Sequence, residues 1–184
     1  MRKIAIVTSA SGSGGTTVGR EIAARLDLPF HELDALFWQP NWTEPDADEF
    51  RDRVAEVVAT DAWVIDGSYQ SWIGQLVLGN ADAVVWLDVP VRVWLPRLLG
   101  RTLRRARSGE ELWAGNRESL RNAFASRDSL LLFTLRHYRG RHRRYPERFA
   151  AYDVVRLRTQ RELDRFLSAI DRRGTAARRP TPRP

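Results

Sequence analysis

Eight residues near the start of the chain have the types and order that hold phosphate groups. They read Ser9-Ala10-Ser11-Gly12-Ser13-Gly14-Gly15-Thr16, between a β-branched run at residues 4–8 and a segment where Val18, Ile22 and Leu26 recur at helical spacing. The pattern G-x-x-x-x-G-K-[ST] occupies such a strand-to-helix turn. Here Gly14 and Thr16 fill its second glycine and hydroxyl positions, while Ser9 replaces the first glycine and Gly15 the lysine. Backbone N–H groups of Gly12, Ser13, Gly14, Gly15, Thr16 and Thr17 can converge on phosphate oxygens, and the helix dipole favours an anion there. Thr16 also offers a hydroxyl to a magnesium ion. The missing lysine removes a point charge between the β- and γ-phosphates, a loss of about 10²–10³ in rate when one such group goes. Phosphate binding is therefore expected to survive, with phosphoryl transfer impaired.

The elements around this turn imply an α/β domain. Strands are predicted at residues 29–33, 63–65, 83–87 and 152–157, besides the first at 4–8. Helices are predicted between them: one entered through Asp46, Asp48 and Glu49, a short one near Trp72, a long arginine-studded stretch after Pro90, and a last one over 161–170. Strands alternating with helices give a parallel sheet covered on both faces. Residues 1–170 read as one domain, and the proline- and arginine-rich tail 171–184 as disordered and basic. Asp88, just before Pro90, is expected to cap the following helix.

Net charge is +7, unevenly spread. Residues 28–90 hold twelve acids against two arginines, and residues 92–149 hold fifteen arginines against five acids. Lys3 is the only lysine, so an arginine from the later segment is the available replacement for the absent loop charge. The run Arg139-Gly140-Arg141-His142-Arg143-Arg144 is dense enough to suggest a polyanion, nucleic acid among them. With no cysteine, disulfides and thiolate sites are excluded, and the three histidines are too scattered for a metal site. No apolar run reaches membrane-spanning length and the first residues lead straight into a strand, so no membrane partner and a cytoplasmic location are expected.

Four stretches carry a family resemblance: Ser11-Gly12-Ser13-Gly14, His31-Glu32-Leu33-Asp34-Ala35-Leu36-Phe37-Trp38, Trp63-Val64-Ile65-Asp66-Gly67-Ser68-Tyr69, and Leu87-Asp88-Val89-Pro90. Over roughly residues 2–170 the chain resembles the adenylate kinase-related bacterial proteins often labelled topology modulation proteins. The resemblance implies a three-layer P-loop NTPase fold, with a five-stranded parallel sheet, helices on both faces and an arginine-rich lid at about 97–148. It implies ATP and Mg2+ as cofactors and a small molecule or nucleotide as phosphoryl acceptor. Members normally carry lysine where this chain has Gly15, and often a basic residue near Trp72. By the same likeness Asp34, closing the second strand, takes the acceptor's proton. Asp66, closing the third, holds magnesium through water. Arg97-Leu98-Leu99-Gly100-Arg101 resembles a lid entrance in which Arg97 packs on the base and Arg101 reaches the phosphates. Trp38, Trp42 and Trp72 line either an acceptor pocket or the core. Three readings stand: a phosphotransferase, a nucleotide-binding module that has lost transfer, and a basic nucleic-acid-binding protein on this scaffold.

Overall fold

Residues 4–7 are hydrophobic without alternation and at most 1% exposed, as a parallel strand buried on both faces requires. They form the middle of β1 (Lys3–Thr8) in a computed structural model that describes residues 1–118 and 130–177. The other strands are β2 (Phe30–Glu32), β3 (Trp63–Asp66), β4 (Ala83–Leu87) and β5 (Val154–Leu157). All pair in parallel in the order β2-β3-β1-β4-β5. Helices cover both faces, so the α/β three-layer architecture with five parallel strands is the one expected.

One face of the sheet presents Ala5, Val7, Ile65, Val84 and Trp86. Against it lie α2 (Leu33–Phe37), α3 (Ala47–Ala59), α4 (Gln70–Ile73) and the end of α6 (Leu130–Arg148), through Tyr145 and Phe149. The Asp46 carboxylate accepts from the N–H groups of Asp48 and Glu49 and so caps α3, whose Phe50, Val54 and Val58 turn inward. The opposite face presents Ile4, Ile6, Val64, Val85 and Leu87 to α1 (Gly15–Leu26) and α7 (Gln160–Ala177). Because β1 sits between β3 and β4, the turn after it opens at the carboxyl edge, where the strand order reverses and ligands of such sheets bind.

Three local expectations shift. Strand β2 stops at Glu32, so Asp34 belongs to the first turn of α2 rather than to the strand end. Helix α7 continues past Ile170 to Ala177, and residues 178–184 of the predicted tail lie outside the described residues. Of the predicted lid, α5 (Val91–Ser108), the segment 109–118 and α6 are described, and 119–129 are not.

Asp88 does not cap α5, which begins after Pro90 with no side-chain cap. Its side chain is fully buried and joins four elements instead. Ser9 Oγ donates to Oδ1 at 2.9 Å, and His142 Nδ1 of α6 lies 2.9 Å from the same oxygen. From β5, Arg156 donates to Oδ2 through Nε at 3.0 Å and Nη2 at 2.5 Å. Trp86 Nε1 donates in turn to Ser9 Oγ at 2.8 Å. The cluster binds the start of the glycine-rich turn, the end of β4, β5 and α6 into one unit.

Burial by itself would raise the Asp88 carboxyl, but the hydrogen bonds from His142, Arg156 and Ser9 outweigh it and hold the group below the ordinary carboxylate range. A depressed folded value stabilises above the unfolded value and is lost as pH falls through the folded one. Asp88→Asn should cost about 2–3 kcal/mol at pH 7, less than a fully buried pair because His142 and Arg156 keep some solvent. Urea unfolding from pH 3 to 7 checks this: the wild type should lose stability toward the acid end more steeply than the variant.

Candidate functional site

The turn after β1 is shaped by what packs against it. Gly12 has φ +85°, and a Cβ there would stand 2.6 Å from Trp94 O and 3.0 Å from Leu98 Cβ of α5. Both the left-handed backbone and the close approach of α5 require glycine. Ser9 is tolerated at the first loop position because its side chain points back into the Asp88 cluster. Gly14 precedes α1 with no side-chain cap, and no acid occupies the first turn. Val18 N bonds Gly14 O at 2.9 Å, so the N–H groups of Gly15, Thr16 and Thr17 have no acceptor inside the helix. Ser13 Oγ is buried without a hydrogen-bond partner. Free amides and an orphaned hydroxyl at a helix start are what a phosphate would satisfy.

Gly15 is the position of the absent lysine. A Cβ on it would lie 2.4 Å from Asp66 Oδ1 and 2.9 Å from Oδ2. The Asp66 carboxylate fills the room from which a side chain at 15 would leave, and Thr16 Oγ1 donates to its Oδ2 at 2.9 Å. Burial, helped by the nearby Asp34 and Glu32 and opposed by the Thr16 hydrogen bond, pushes the Asp66 carboxyl up to about 7. Among the described residues no cation pairs with this carboxylate. Adjacent hydroxyl and carboxylate oxygens over a phosphate cradle fit Mg2+, which takes one or two protein oxygens and completes its shell with water and phosphate. Among the described residues no cluster of three or more His, Cys, Asp or Glu side chains could hold a metal unaided.

Asp34 lies across the mouth from Asp66, with Tyr69 Oη donating to its Oδ1 at 2.5 Å. Burial raises its carboxyl most; Glu32 adds to this, and Tyr69, Arg101 and Arg105 oppose it. Arg101 is the nearby cation from α5. Its Nε is buried with no hydrogen-bond partner among the described residues. Burial first, then Arg105, lowers its pKa, against the pull of Glu118 and Asp34. A buried guanidinium N–H without an acceptor is costly, and it marks a place where an anionic ligand would be favoured.

The structure thus gathers the loop 12–17, Asp66, Asp34 and Arg101 at one mouth. Arg97 is exposed on α5, one turn before Arg101. Trp38 and Trp72 pack with Phe37, on the core side, and Trp42 packs against Trp113 at 6.5 Å between centroids. On α6, Arg139, Arg143 and Arg144 are exposed while His142 turns in to Asp88. Arg136, Gly140 and Arg144 border a shallow notch of about 110 Å³ on that helix. No feature of the fold singles out nucleic acid as its occupant.

Sequence reasoning passed over the segment that follows α5. Trp113 Nε1 donates to Glu32 Oε2 at 2.9 Å. The Asn116 amide accepts from Trp42 N at 2.8 Å and donates to Gln39 O at 2.8 Å and Trp113 O at 2.9 Å. Arg105 ties the same segment to α5 through Glu110 and Glu118, each at 3.3 Å. Left-handed residues on both sides, Asn41, Trp42 and Ala114, let two tight turns meet over a cleft of about 390 Å³. The sequence signal was slight: an Asn and a Trp inside an arginine-rich stretch.

No protein-family model matches the chain. A sequence relative, the uncharacterized protein YqaC of Bacillus subtilis (strain 168), is 28% identical over 117 residues, which are 62% of this chain and 64% of the relative. The chain therefore spans a little under two thirds of that protein's length. Among solved structures, shikimate kinase from Bacteroides thetaiotaomicron aligns with a TM-score of 0.54 and 18% identity, over 94% of this chain and 98% of its own. Shikimate kinase from Acinetobacter baumannii, solved in complex with shikimate, aligns with a TM-score of 0.55 and 17% identity, over 97% and 96%. The fold is that of P-loop kinases.

The raised Asp66 carboxyl has a testable consequence. Folded, it keeps until about pH 7 a proton that the unfolded chain releases near 4, so stability falls as pH rises between those values. Asp66→Asn carries no such charge. It should melt with the wild type at pH 4 and be more stable by about 2–4 kcal/mol at pH 8, as thermal unfolding at the two pH values would show.

Proposed function

We propose that the protein is an ATP-dependent phosphotransferase that moves the γ-phosphoryl group of Mg-ATP to a hydroxyl of a small molecule or nucleotide. The observation that carries this is Arg101 Nε, buried and without a hydrogen-bond partner among the described residues, beside the free amides of Gly15 to Thr17 and two carboxyl groups raised by burial. Perturbed groups gathered in one mouth are the usual mark of a reaction site. The amides of Gly12 to Thr17 and Ser13 Oγ hold the phosphates. Arg101 supplies the charge that residue 15 lacks, its planar fork suiting a phosphate better than a point charge does. Thr16 and Asp66 hold the magnesium, which neutralises charge between the β- and γ-phosphates when bound. Asp34 takes the proton of the attacking hydroxyl. Arg97, at the start of the R-x-x-G-R segment, is left to the nucleotide's base.

Of the expected lid 97–148, residues 97–118 are the moving part in this reading, closing the mouth where Trp113 and Asn116 meet the loop 38–43, while His142 keeps α6 on Asp88. Membership of the adenylate kinase-related topology modulation group rests on the four sequence stretches alone. Acceptor identity does not travel with a fold. A second reading, a nucleotide-binding module without transfer, is favoured by Gly15 itself. Both place the protein in the cytoplasm.

ATP titration with magnesium, followed by ADP release across a panel of hydroxylated acceptors, tests the proposal. Arg101→Ala should weaken ATP binding or turnover by about tenfold or more. Gly15→Lys should gain little, because its Cβ runs into Asp66. A large gain from the lysine with no loss from Arg101→Ala would overturn the role of Arg101. Tight ATP binding with no ADP from any acceptor would favour the module.

A further inference from the structure

Asp34 has two carboxylate oxygens, and the protein uses one of them. Tyr69 Oη donates to Oδ1 at 2.5 Å. Among the described residues, none donates a hydrogen bond to Oδ2. Tyr69 is held by its surroundings, its ring centroid 4.6 Å from that of Phe37 and 5.3 Å from that of Phe50. Its backbone is left-handed, φ 37° and ψ 35°, a conformation that bulky residues rarely adopt. The N–H groups of Trp72 and Ile73 bond Tyr69 O at 2.8 and 3.0 Å and lock that turn. Gly67, at φ +117°, lets the chain pass over Leu33 on its way from Asp66. The path from β3 to α4 is bent, against local preference, so that one phenol meets one carboxylate.

Other charged groups face Asp34 without bonding to it: Glu32 from β2, Asp66 from β3, and Arg101 and Arg105 from α5. Tyr69 differs from them in being a donor that does not give up its proton. Burial, together with Asp34 and Asp66, pushes its phenol further up from an already high value. Packing alone would be served as well by phenylalanine.

We infer that Tyr69 is the positioning residue for Asp34: its hydroxyl occupies Oδ1 and so presents Oδ2, free, to the acceptor hydroxyl. The inference rests on the reading of Asp34 as the group that takes the acceptor's proton. In the transfer, the acceptor oxygen bonds to the γ-phosphorus and the bond to the β–γ bridging oxygen breaks, releasing ADP. The acceptor's proton passes to Oδ2, and Tyr69 keeps its own throughout.

A double-mutant cycle on magnesium-dependent ATP hydrolysis tests this, with water as the acceptor and ADP as the readout. Tyr69→Phe should lower kcat by about tenfold or more, with KM for ATP and the melting temperature close to wild type. In an Asp34→Asn background the same change should have no further effect, because Tyr69 acts through Asp34. Full activity of Tyr69→Phe, or an equal loss in both backgrounds, would overturn the inference. A fully active Asp34→Asn protein that still binds ATP would overturn the reading of Asp34, and the inference with it. Should hydrolysis be too slow to measure, the carboxyl 13C titration of Asp34 decides. Removing the phenol should move its midpoint to higher pH, and an unmoved midpoint would overturn the inference.

Discussion

The site depends on the contact between the Asp66 carboxylate and the bare Cα of Gly15. A side chain at 15 cannot leave the loop without displacing Asp66, and among the described residues no cation pairs with Asp66. In the usual arrangement one lysine serves two purposes, balancing the acids at the mouth and meeting the phosphates. Here the two purposes separate. Protonation near pH 7 relieves the carboxylate while the mouth is empty, and a magnesium ion would relieve it in the loaded protein. The charge meant for phosphate has to come from another element.

In the proposed function that element is α5, placed by close packing. Gly12 admits Trp94 and Leu98 almost onto the loop backbone, so the next turn of α5 brings Arg101 over the mouth. A charge carried on a lid helix would differ from one carried on the loop. If α5 moves as a lid, the charge is withdrawn with it, and phosphate affinity and lid position are one equilibrium. The Asp88 cluster gives the opposite kind of link. It holds the first residue of the loop, β5 and α6 together with buried charge and hydrogen bonds, so α6 forms the fixed side of the mouth.

The sequence made the sheet legible because its buried strands read as unbroken hydrophobic runs and its turns carried glycine or aspartate. Gly12, Gly14 and Thr16 are marked by the spacing of the turn and Asp66 by the resemblance, since loop and strand end are local features. Asp34, marked by the resemblance, is placed one element early, because a strand of three residues followed by a five-residue helix has no period to read. The role of Asp88 was missed because its partners come from residues 9, 142 and 156, which only the fold brings together. Tyr69 stood within a quoted motif without a task, for the same reason: the bond to Asp34 spans 35 residues. The Asn116 clasp depends on left-handed turns at non-glycine residues, which sequence signals do not announce.

The most direct measurement is a crystal structure with magnesium and a non-hydrolysable ATP analogue. The expected result has the β- and γ-phosphates on the amides of Gly12 to Thr16, magnesium between Thr16 and Asp66, and the Arg101 guanidinium hydrogen-bonded to a γ-phosphate oxygen. A nucleotide bound away from the loop, or one seated in it with Arg101 still turned toward Asp34 and Glu118, would contradict the proposal that α5 supplies the missing charge.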